Sequence, residues 1–249
     1  MKFAVAGGTG CIGRMIVSDA QARGHEVRVV SRGHGVDIVT GSGLERALQG
    51  VDAIIDVLNV STLNAKRSIE FFTQASASLG QTARLAGVNH LVMLSIVGVD
   101  RNPNGYYAGK LAQEQCYERL SLPHTIQRAT QFHEFAQQTF FRGTQGPLAL
   151  APRARIQPID ASAVARRLVS LAEGDPQGRA QDIAGPQELD LADCVRAYAA
   201  QIGYRGAVLP VRLPGRMMQG MRQGLNLPDE GAELDPGSFA AWCAAQSRA

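Results

Sequence analysis

Residues 2–13 read KFAVAGGTGCIG, and this stretch decides the predicted fold. Residues 3–6 form an apolar run that is too short for a helix and suits a buried β-strand. A glycine-rich turn follows, and apolar side chains then recur at helical spacing as far as residue 20. A strand, a glycine turn and a helix in this order form the setting in which regularly spaced glycines indicate a dinucleotide-binding site.

Three glycines of this turn are spaced three residues apart, and each has a physical role. Gly7 permits the tight turn, Gly10 allows backbone N–H groups to approach a pyrophosphate, and Gly13 allows the helix to pack closely on its strand. The helix N-terminus adds unpaired N–H groups and a partial positive charge. We therefore expect the cofactor to contact seven residues: Gly7, Gly8, Thr9, Gly10, Cys11, Ile12 and Gly13.

The end of the predicted second strand, residues 26–32, is expected to select between NAD and NADP. In such folds this position meets the adenosine ribose, and a carboxylate there favours NAD. The chain has Ser31 and Arg32 instead, and the nearest acid, Asp37, lies too late, inside a predicted third strand over residues 36–40. A guanidinium can bind a 2′-phosphate through two hydrogen bonds. The sequence therefore predicts NADP (NADPH) as the cofactor in preference to NAD.

Short strands alternate with helices along the first half of the chain. The later strands are predicted over residues 52–58, 90–94 and 123–128, and a long helix over residues 62–86, although Gly80 weakens the prediction of an unbroken helix. This alternation predicts an α/β fold, a Rossmann-type doubly wound parallel sheet.

Polar residues fall at the carboxyl ends of these strands, which is where ligands bind in such sheets. Beside the glycine turn, Ser31 and Arg32, they are Asn59 after the fourth predicted strand and Ser95 after the fifth. Their convergence on one edge supports the predicted fold and makes Asn59 and Ser95 candidate site residues.

Tyr106 and Lys110 lie four residues apart in a predicted helix and therefore share one face. A tyrosine that exchanges a proton near neutral pH needs its pKa lowered from about 10, and a neighbouring ammonium favours the phenolate. The hydroxyl of Ser95 could hold the carbonyl or hydroxyl oxygen of a substrate. Tyr107 competes with Tyr106 for this role, but the four-residue spacing to Lys110 favours Tyr106.

The Gly-x-x-Gly-x-x-Gly turn, the Tyr-x-x-x-Lys pair and the upstream serine together resemble the short-chain dehydrogenase/reductase superfamily, and the layout resembles its atypical, NmrA-like branch. The resemblance implies that Tyr106 is the general acid/base and that Ser95 orients the substrate. It implies that Lys110 lowers the pKa of Tyr106 and hydrogen-bonds the nicotinamide ribose. It also implies that Asn59 lines the cofactor. Ala129 departs from the proline that relatives often have after the arginine of the sixth strand.

The region after residue 130 is expected to meet the substrate. In this fold, Gln131, Phe132 and His133 lie where substrate and nicotinamide meet, and His133 is interpreted as a loop residue rather than a second acid/base. We expect residues 1–130 to form the NAD(P)-binding domain. Residues 131–249 then complete the sheet and form a small C-terminal substrate lobe within the same compact unit.

Composition excludes several functional classes. Of the 249 residues 45% are hydrophobic and 19% charged, and a net charge of +3 without a basic run gives no indication of a nucleic acid partner. No apolar segment is long enough to span a bilayer. The four cysteines are far apart, with no metal-ligand spacing, which predicts reduced thiols in a cytoplasmic protein and no metal. The expected partner is a small-molecule substrate, and a homo-oligomer is possible.

These features predict an NADP-dependent oxidoreductase that transfers a hydride between nicotinamide and a small carbonyl, alcohol or quinone-like compound. The alternative is an NmrA-like protein that binds NADP and regulates partners without turnover, although the Tyr-x-x-x-Lys pair argues for an enzyme. A third hypothesis is a sugar-nucleotide epimerase or dehydratase, which has the same glycine spacing. The sequence does not identify the substrate.

Overall fold

The structure is a computed structural model that describes residues 1–246. The strands are β1 (Lys2–Ala6), β2 (Glu26–Val30), β3 (Ala53–Asp56), β4 (His90–Ile96), β5 (His124–Ala129), β6 (Thr144–Gln145), β7 (Leu148–Pro152), β8 (Arg155–Ile156), β9 (Gly178–Arg179), β10 (Ile183–Ala184), β11 (Leu189–Asp190), β12 (Ala207–Val211) and β13 (Glu233–Leu234). The α-helices are α1 (Cys11–Ala22), α2 (Leu44–Leu48), α3 (Ala65–Leu85), α4 (Tyr106–Arg119), α5 (Glu134–Gly143), α6 (Ala161–Glu173), α7 (Leu191–Gln201), α8 (Arg216–Arg222) and α9 (Phe239–Ala244).

The chain folds into two compact units that interleave in sequence. The first unit contains residues 1–95, 103–128 and 162–181. Within the described residues, the second contains residues 96–102, 129–161 and 182–246. The predicted division into residues 1–130 and 131–249 within one compact unit stays a prediction.

The first unit is built on a sheet with the strand order β5-β4-β3-β1-β2, and β9 pairs with β5. β1 pairs in parallel with β2 on one side and with β3 on the other, and β3 pairs in parallel with β4. Strand β2 is therefore added on one side of β1, and β3, β4 and β5 are added in turn on the other side. The direction in which successive strands are added reverses between β1 and β3. In open α/β sheets such a reversal marks the ligand-binding edge. The predicted Rossmann-type fold class is confirmed.

The core of the first unit explains why the short apolar runs become strands. Phe3, Ile54 and Leu91 on the central strands are fully buried, as strands covered on both faces require. Phe72 and Leu79 on α3 are also fully buried. Each such side chain contributes roughly 1.5–3 kcal/mol through burial of its apolar surface.

Two local predictions had different outcomes. The strand predicted over residues 36–40 is wrong, because this segment forms turns and its only pairing is an isolated bridge between Asp37 and Ser42. The Asp37 carboxylate accepts hydrogen bonds from the N–H groups of Val39 and Thr40, which stabilises the turn.

Helix α3, in contrast, passes through Gly80 unbroken. A Cβ at Gly80 would lie 2.3 Å from Leu120 Cδ1, so the glycine permits close packing.

The second unit contains short strands and helices. β7 pairs with β6 and β12, β8 pairs with β11, and β10 pairs with β13 and, at Ile183, with Ala129 at the end of β5. Helix α7 begins at Leu191, where the Asp190 carboxylate accepts a hydrogen bond from the Ala192 N–H. Within residues 1–246, no helix is long and apolar enough to cross a membrane.

Candidate cofactor and catalytic site

The glycine turn between β1 and α1 has the geometry that its sequence predicts. Gly7 has φ +83°, and a Cβ there would lie 2.9 Å from Val57 O. A Cβ at Gly13 would lie 2.2 Å from Gly7 O, so α1 packs directly on the turn at this residue. The first hydrogen bond of α1 runs from Arg14 N to Gly10 O, 3.0 Å, which leaves the preceding N–H groups outside the helical ladder. This arrangement fits the phosphates of a dinucleotide.

Ser31 and Arg32 follow β2 directly. Arg32 begins a 3₁₀ turn and is exposed, and its guanidinium makes no hydrogen bond or ion pair within the part of the chain that the structure describes. Ser31 Oγ lies 2.9 Å from His34 Nδ1, which fixes the imidazole beside the end of the strand. The guanidinium of Arg32 is therefore available to an anionic ligand.

A depression of about 500 Å³ lies beside this strand end and the glycine turn. It is lined by Gly8, Thr9, Arg14, Val17, Ser18, Gln21, Val29 and His34. Arg14 and His34 are basic groups that the sequence reasoning did not select, because neither lies at a motif position. Arg14 is held in place by a hydrogen bond from its guanidinium to Thr9 O, 2.5 Å.

Helices α3 and α4 position the predicted catalytic pair. A Cβ at Gly109 would lie 2.1 Å from Ser68 Oγ, so α4 approaches α3 closely at this glycine. Ser68 Oγ donates a hydrogen bond to Tyr106 O, 2.9 Å, and Phe72 packs edge-on against the Tyr106 ring with centroids 5.8 Å apart. Tyr106 therefore begins α4 in a fixed orientation.

Lys110 is buried one turn later in α4. Its ammonium donates hydrogen bonds to Leu94 O, 2.7 Å, and to Gln113 Oε1, and lies 4.9 Å from the centroid of the Phe72 ring. Burial lowers its pKa from 10.5 to about 8, while the charges of Asp56 and Glu114 oppose that shift. The Lys110 ammonium therefore lies at the end of β4 and has a pKa only slightly above neutral pH.

Tyr106 has a higher pKa than the sequence predicted. Burial, with smaller contributions from the charges of Tyr107 and Asp56, raises its pKa well above 10. The expected lowering of this pKa is not met in the structure, because burial raises it and the Lys110 ammonium donates to Leu94 O and Gln113 Oε1 instead. The phenol of Tyr106 is therefore uncharged at neutral pH.

Ser95 and Asn59 differ in their surroundings. Ser95 is 2% exposed, and its hydroxyl has no hydrogen-bond partner among residues 1–246. Because a buried hydroxyl without a partner is costly, such a group indicates a ligand position. Asn59 lies exposed in the loop after β3. Ser95 directly follows Leu94, the carbonyl partner of Lys110, in β4, whereas Asn59 lies at the surface.

Asp56 is a site residue that sequence reasoning missed. It ends β3 and is fully buried, although its position in an apolar run suggested only an interruption. Its carboxylate accepts hydrogen bonds from Leu58 N, Gln113 Nε2 and Tyr117 Oη. Gln113 in turn accepts from Lys110, so a hydrogen-bonded chain links β3 to the candidate catalytic lysine.

The predicted substrate residues lie in the second unit, after β5. The segment from Thr130 to Glu134 holds several buried polar atoms without a partner among the described residues: Thr130 Oγ1, Gln131 Nε2 and Oε1, His133 Nδ1 and Glu134 Oε2. Native proteins leave only a few such groups per hundred residues, so this concentration in five residues is unusual. Phe132 bridges to Ile159 and is half-buried.

His133 is packed rather than exposed in a loop. Its Nε2 lies 3.2 Å from Gly237 O, and its ring contacts Phe239 and Trp242 of α9. Burial lowers its pKa, while the Gly237 carbonyl opposes the shift. The imidazole is therefore neutral at physiological pH.

A fold with a glycine turn at the β1 switch point, and residues that fit a dinucleotide, defines an NAD(P)-binding Rossmann-type protein. Residues 7–173 match the model of an NAD(P)H-binding family, and the chain belongs to that family. The prediction of an NAD(P)-binding protein is confirmed.

Relatives support this assignment. The chain is 30% identical over 205 residues to a (4-alkanoyl-5-oxo-2,5-dihydrofuran-3-yl)methyl phosphate reductase of Streptomyces griseus subsp. griseus, covering 74% of this chain and 68% of that protein. An NADPH-dependent quinone oxidoreductase from Escherichia coli, complexed with NADPH, has a similar structure, with a TM-score of 0.74, 16% identity, and coverage of 97% and 98%. UDP-glucose 4-epimerase from Thermotoga maritima has a TM-score of 0.71, 14% identity, and coverage of 98% and 96%. At these identities the two structures show the shared fold alone.

Proposed function

We propose that this protein is an NADPH-dependent oxidoreductase that reduces a small carbonyl or quinone-like compound. The observation that carries the proposal is the group of side chains at the end of β4. Lys110 donates to Leu94 O, and the next residue, Ser95, has a buried hydroxyl without a partner among the described residues. Membership of an NAD(P)H-binding family and the reductase named in Streptomyces griseus support the same reaction class.

The side chains have distinct roles in the proposed reaction. When bound, the reduced nicotinamide supplies a hydride, and hence two electrons, to the carbonyl carbon. The carbonyl oxygen then takes a proton, which Tyr106 holds because burial raises its pKa. The Ser95 hydroxyl orients that oxygen, and Lys110 places a positive charge beside it. A neutral phenol can supply the proton that carbonyl reduction consumes, and the reverse reaction, alcohol oxidation, would use its phenolate as the base.

We further propose that NADPH binds in preference to NADH. Arg32 is exposed, makes no ion pair among residues 1–246, and directly follows β2. A 2′-phosphate offers this guanidinium a charge-assisted, bidentate contact that NADH lacks. The neighbouring Ser31 and Asn59 are proposed to contact the cofactor as well.

The catalytic test compares two tyrosines. Tyr106→Phe should lower NADPH-dependent turnover of 1,4-naphthoquinone or an apolar aldehyde by about 10²-fold or more, because the proton donor is lost. Tyr107→Phe is the matched control, since Tyr107 is the adjacent, buried tyrosine, and it should retain most of the activity. Turnover is followed by NADPH oxidation, and equal activity of Tyr106→Phe and wild type would contradict the proposed role.

The polar segment after β5 is proposed to contact the substrate, with Gln131 as the main hydrogen-bonding group and Phe132 and His133 beside it. Gln131→Leu should raise KM for the carbonyl substrate several-fold and leave NADPH affinity unchanged. Gln137→Leu is the control, because that amide bonds Tyr198 Oη within the same unit. An unchanged KM in Gln131→Leu would remove Gln131 from the substrate site.

A second candidate function is a regulator that binds NADPH without turnover. It is favoured by one observation, that no hydrogen bond joins Tyr106 to Lys110 in the described part of the chain. For this class, NADPH binding with no turnover of any quinone or aldehyde is the expected result. The hypothesis of an epimerase or dehydratase stays a prediction, and its only support is the similarity of fold to UDP-glucose 4-epimerase.

A further inference from the structure

The buried carboxylate of Asp56 is bonded by neutral groups only. Leu58 N donates to Oδ1 at 2.9 Å, Gln113 Nε2 donates to Oδ2 at 2.8 Å, and Tyr117 Oη donates to the same oxygen. These three donors satisfy hydrogen bonds without supplying a positive charge. A fully buried charge is costly unless an opposite charge lies nearby.

Gln113 connects this carboxylate to the nearest buried cation in α4. An ammonium can only donate and a carboxylate can only accept, so the amide oxygen must face Lys110 and the amide nitrogen must face Asp56. The amide is thus fixed by both charges and cannot flip without losing both hydrogen bonds. Lys110, Gln113 and Asp56 form one directed chain from α4 to β3.

The other groups around Lys110 do not replace Asp56. Glu114 makes two hydrogen bonds to the Arg128 guanidinium, at 2.8 and 2.7 Å, so its charge is largely balanced within that ion pair. Burial raises the pKa values of Tyr106 and Tyr117, so both are uncharged at neutral pH, and Phe72 presents a ring face to the ammonium. The remaining partner, Leu94 O, is a neutral carbonyl.

We propose that Asp56, acting through Gln113, is a positioning residue that holds Lys110 protonated and directed at Leu94 O, beside Ser95. The carboxylate touches neither substrate nor cofactor in this role. Asp56 instead determines the charge and the orientation of Lys110, the lysine that contacts the reacting groups in the proposed reaction. The inference rests on the proposed function in one respect, that Lys110 takes part in catalysis. The hydrogen-bonded chain from Lys110 to Asp56 is present whether or not the protein turns over a substrate.

The test measures the ionisation of Lys110 directly. The chain has three lysines, Lys2, Lys66 and Lys110, so ¹³C-lysine labelling gives a spectrum in which each Cε signal can be assigned and titrated. In wild type Lys110 should titrate near pH 8. In Asp56→Asn, which keeps the shape of the side chain, the midpoint should fall by about one pH unit because an opposite charge is removed. Lys2 and Lys66 should not move and serve as internal controls.

A second variant distinguishes two effects on the Lys110 midpoint: the loss of the hydrogen-bonded chain to Asp56, and the loss of any buried polar side chain. Gln113→Met removes the link and should also lower the Lys110 midpoint. Gln127→Met is the matched control, because this buried amide bonds Arg128 O and Gln181 O and should leave the midpoint in place. Circular dichroism verifies the fold of each variant.

The outcomes for this inference and for the proposed function are distinguishable. An unchanged Lys110 midpoint in both folded Asp56→Asn and folded Gln113→Met overturns the positioning role, whatever the activity. A lowered midpoint supports it even if carbonyl turnover is absent in wild type, which would contradict the proposed function alone. If turnover is present, the pH profile of kcat should shift to lower pH with the Lys110 midpoint.

Discussion

Lys110 illustrates how burial controls chemistry at the level of a single residue. Its ammonium is almost fully enclosed, yet hydrogen bonds to Leu94 O and Gln113 Oε1 and the negative charge of Asp56 compensate part of the desolvation. The remaining cost appears as a pKa of about 8. A lysine in this state can lose or keep its proton within the physiological range, which an exposed lysine cannot.

The stability of the protein should therefore depend on the ionisation of Lys110. Its folded pKa of about 8 lies below its ordinary value of 10.5, so the unfolded chain binds more protons between these two values. The free energy of unfolding should rise with pH across this window by up to about 3 kcal/mol relative to Lys110→Met. Urea unfolding of both proteins at pH 7.5, 9 and 10 measures the difference. A difference that does not change with pH would show that Lys110 is not buried as described.

The sequence could predict some of this site and not the rest. Tyr106 and Lys110 are four residues apart, so helical geometry places them on one face without further information. Lys110 bonds Leu94 O of β4 directly and is linked to Asp56 of β3 through Gln113. These residues are distant from Lys110 in the sequence, so the spacing of residues within α4 does not predict them as its partners. The direction of the Tyr106 pKa was missed for the same reason, because burial depends on long-range packing against Phe72.

At the scale of elements, the glycine turn is the part most completely determined by local sequence. Gly7 requires a positive φ and Gly13 requires the absence of a Cβ, and both needs arise within the β1–α1 connection. Strand 36–40 was wrong because its apolar residues, Val36 and Ile38, are buried by turns rather than by a sheet. Apolar alternation alone does not distinguish these two ways of burying side chains.

Gly13→Ala should damage this element measurably. The new Cβ would lie 2.2 Å from Gly7 O, and the turn must move to accept it. We expect a loss of roughly 1–3 kcal/mol in the free energy of unfolding, as for other overpacked sites, together with weaker NADPH binding.

The matched control is Gly10→Ala. Its Cβ would lie no closer than 3.3 Å to Gly7 O, and its φ of −71° suits alanine. Its unfolding free energy should stay within about 0.5 kcal/mol of wild type. Equal stability of the two variants in urea unfolding would show that α1 does not pack on the turn.

At the scale of the whole molecule, the two compact units each take several segments of the chain. Residues 162–181 return to the first unit, where Arg23 pairs with Glu173 and His90 bonds Gly174 O. The sequence carries no signal for the unit to which helix α6 belongs, since those partners lie more than eighty residues away. Fold class follows from local alternation, whereas the assignment of segments to units depends on long-range contacts.

We propose that the edge of the sheet beyond β1 and β2 binds NADPH through its 2′-phosphate. The most direct measurement is a fluorescence titration of the protein with NADPH and with NADH, repeated on Arg32→Ala and on Arg84→Ala, an exposed arginine of α3. NADPH should bind at least about tenfold more tightly than NADH, and Arg32→Ala should lose most of that preference while Arg84→Ala keeps it. Equal affinity of the wild-type protein for NADPH and NADH would contradict the account.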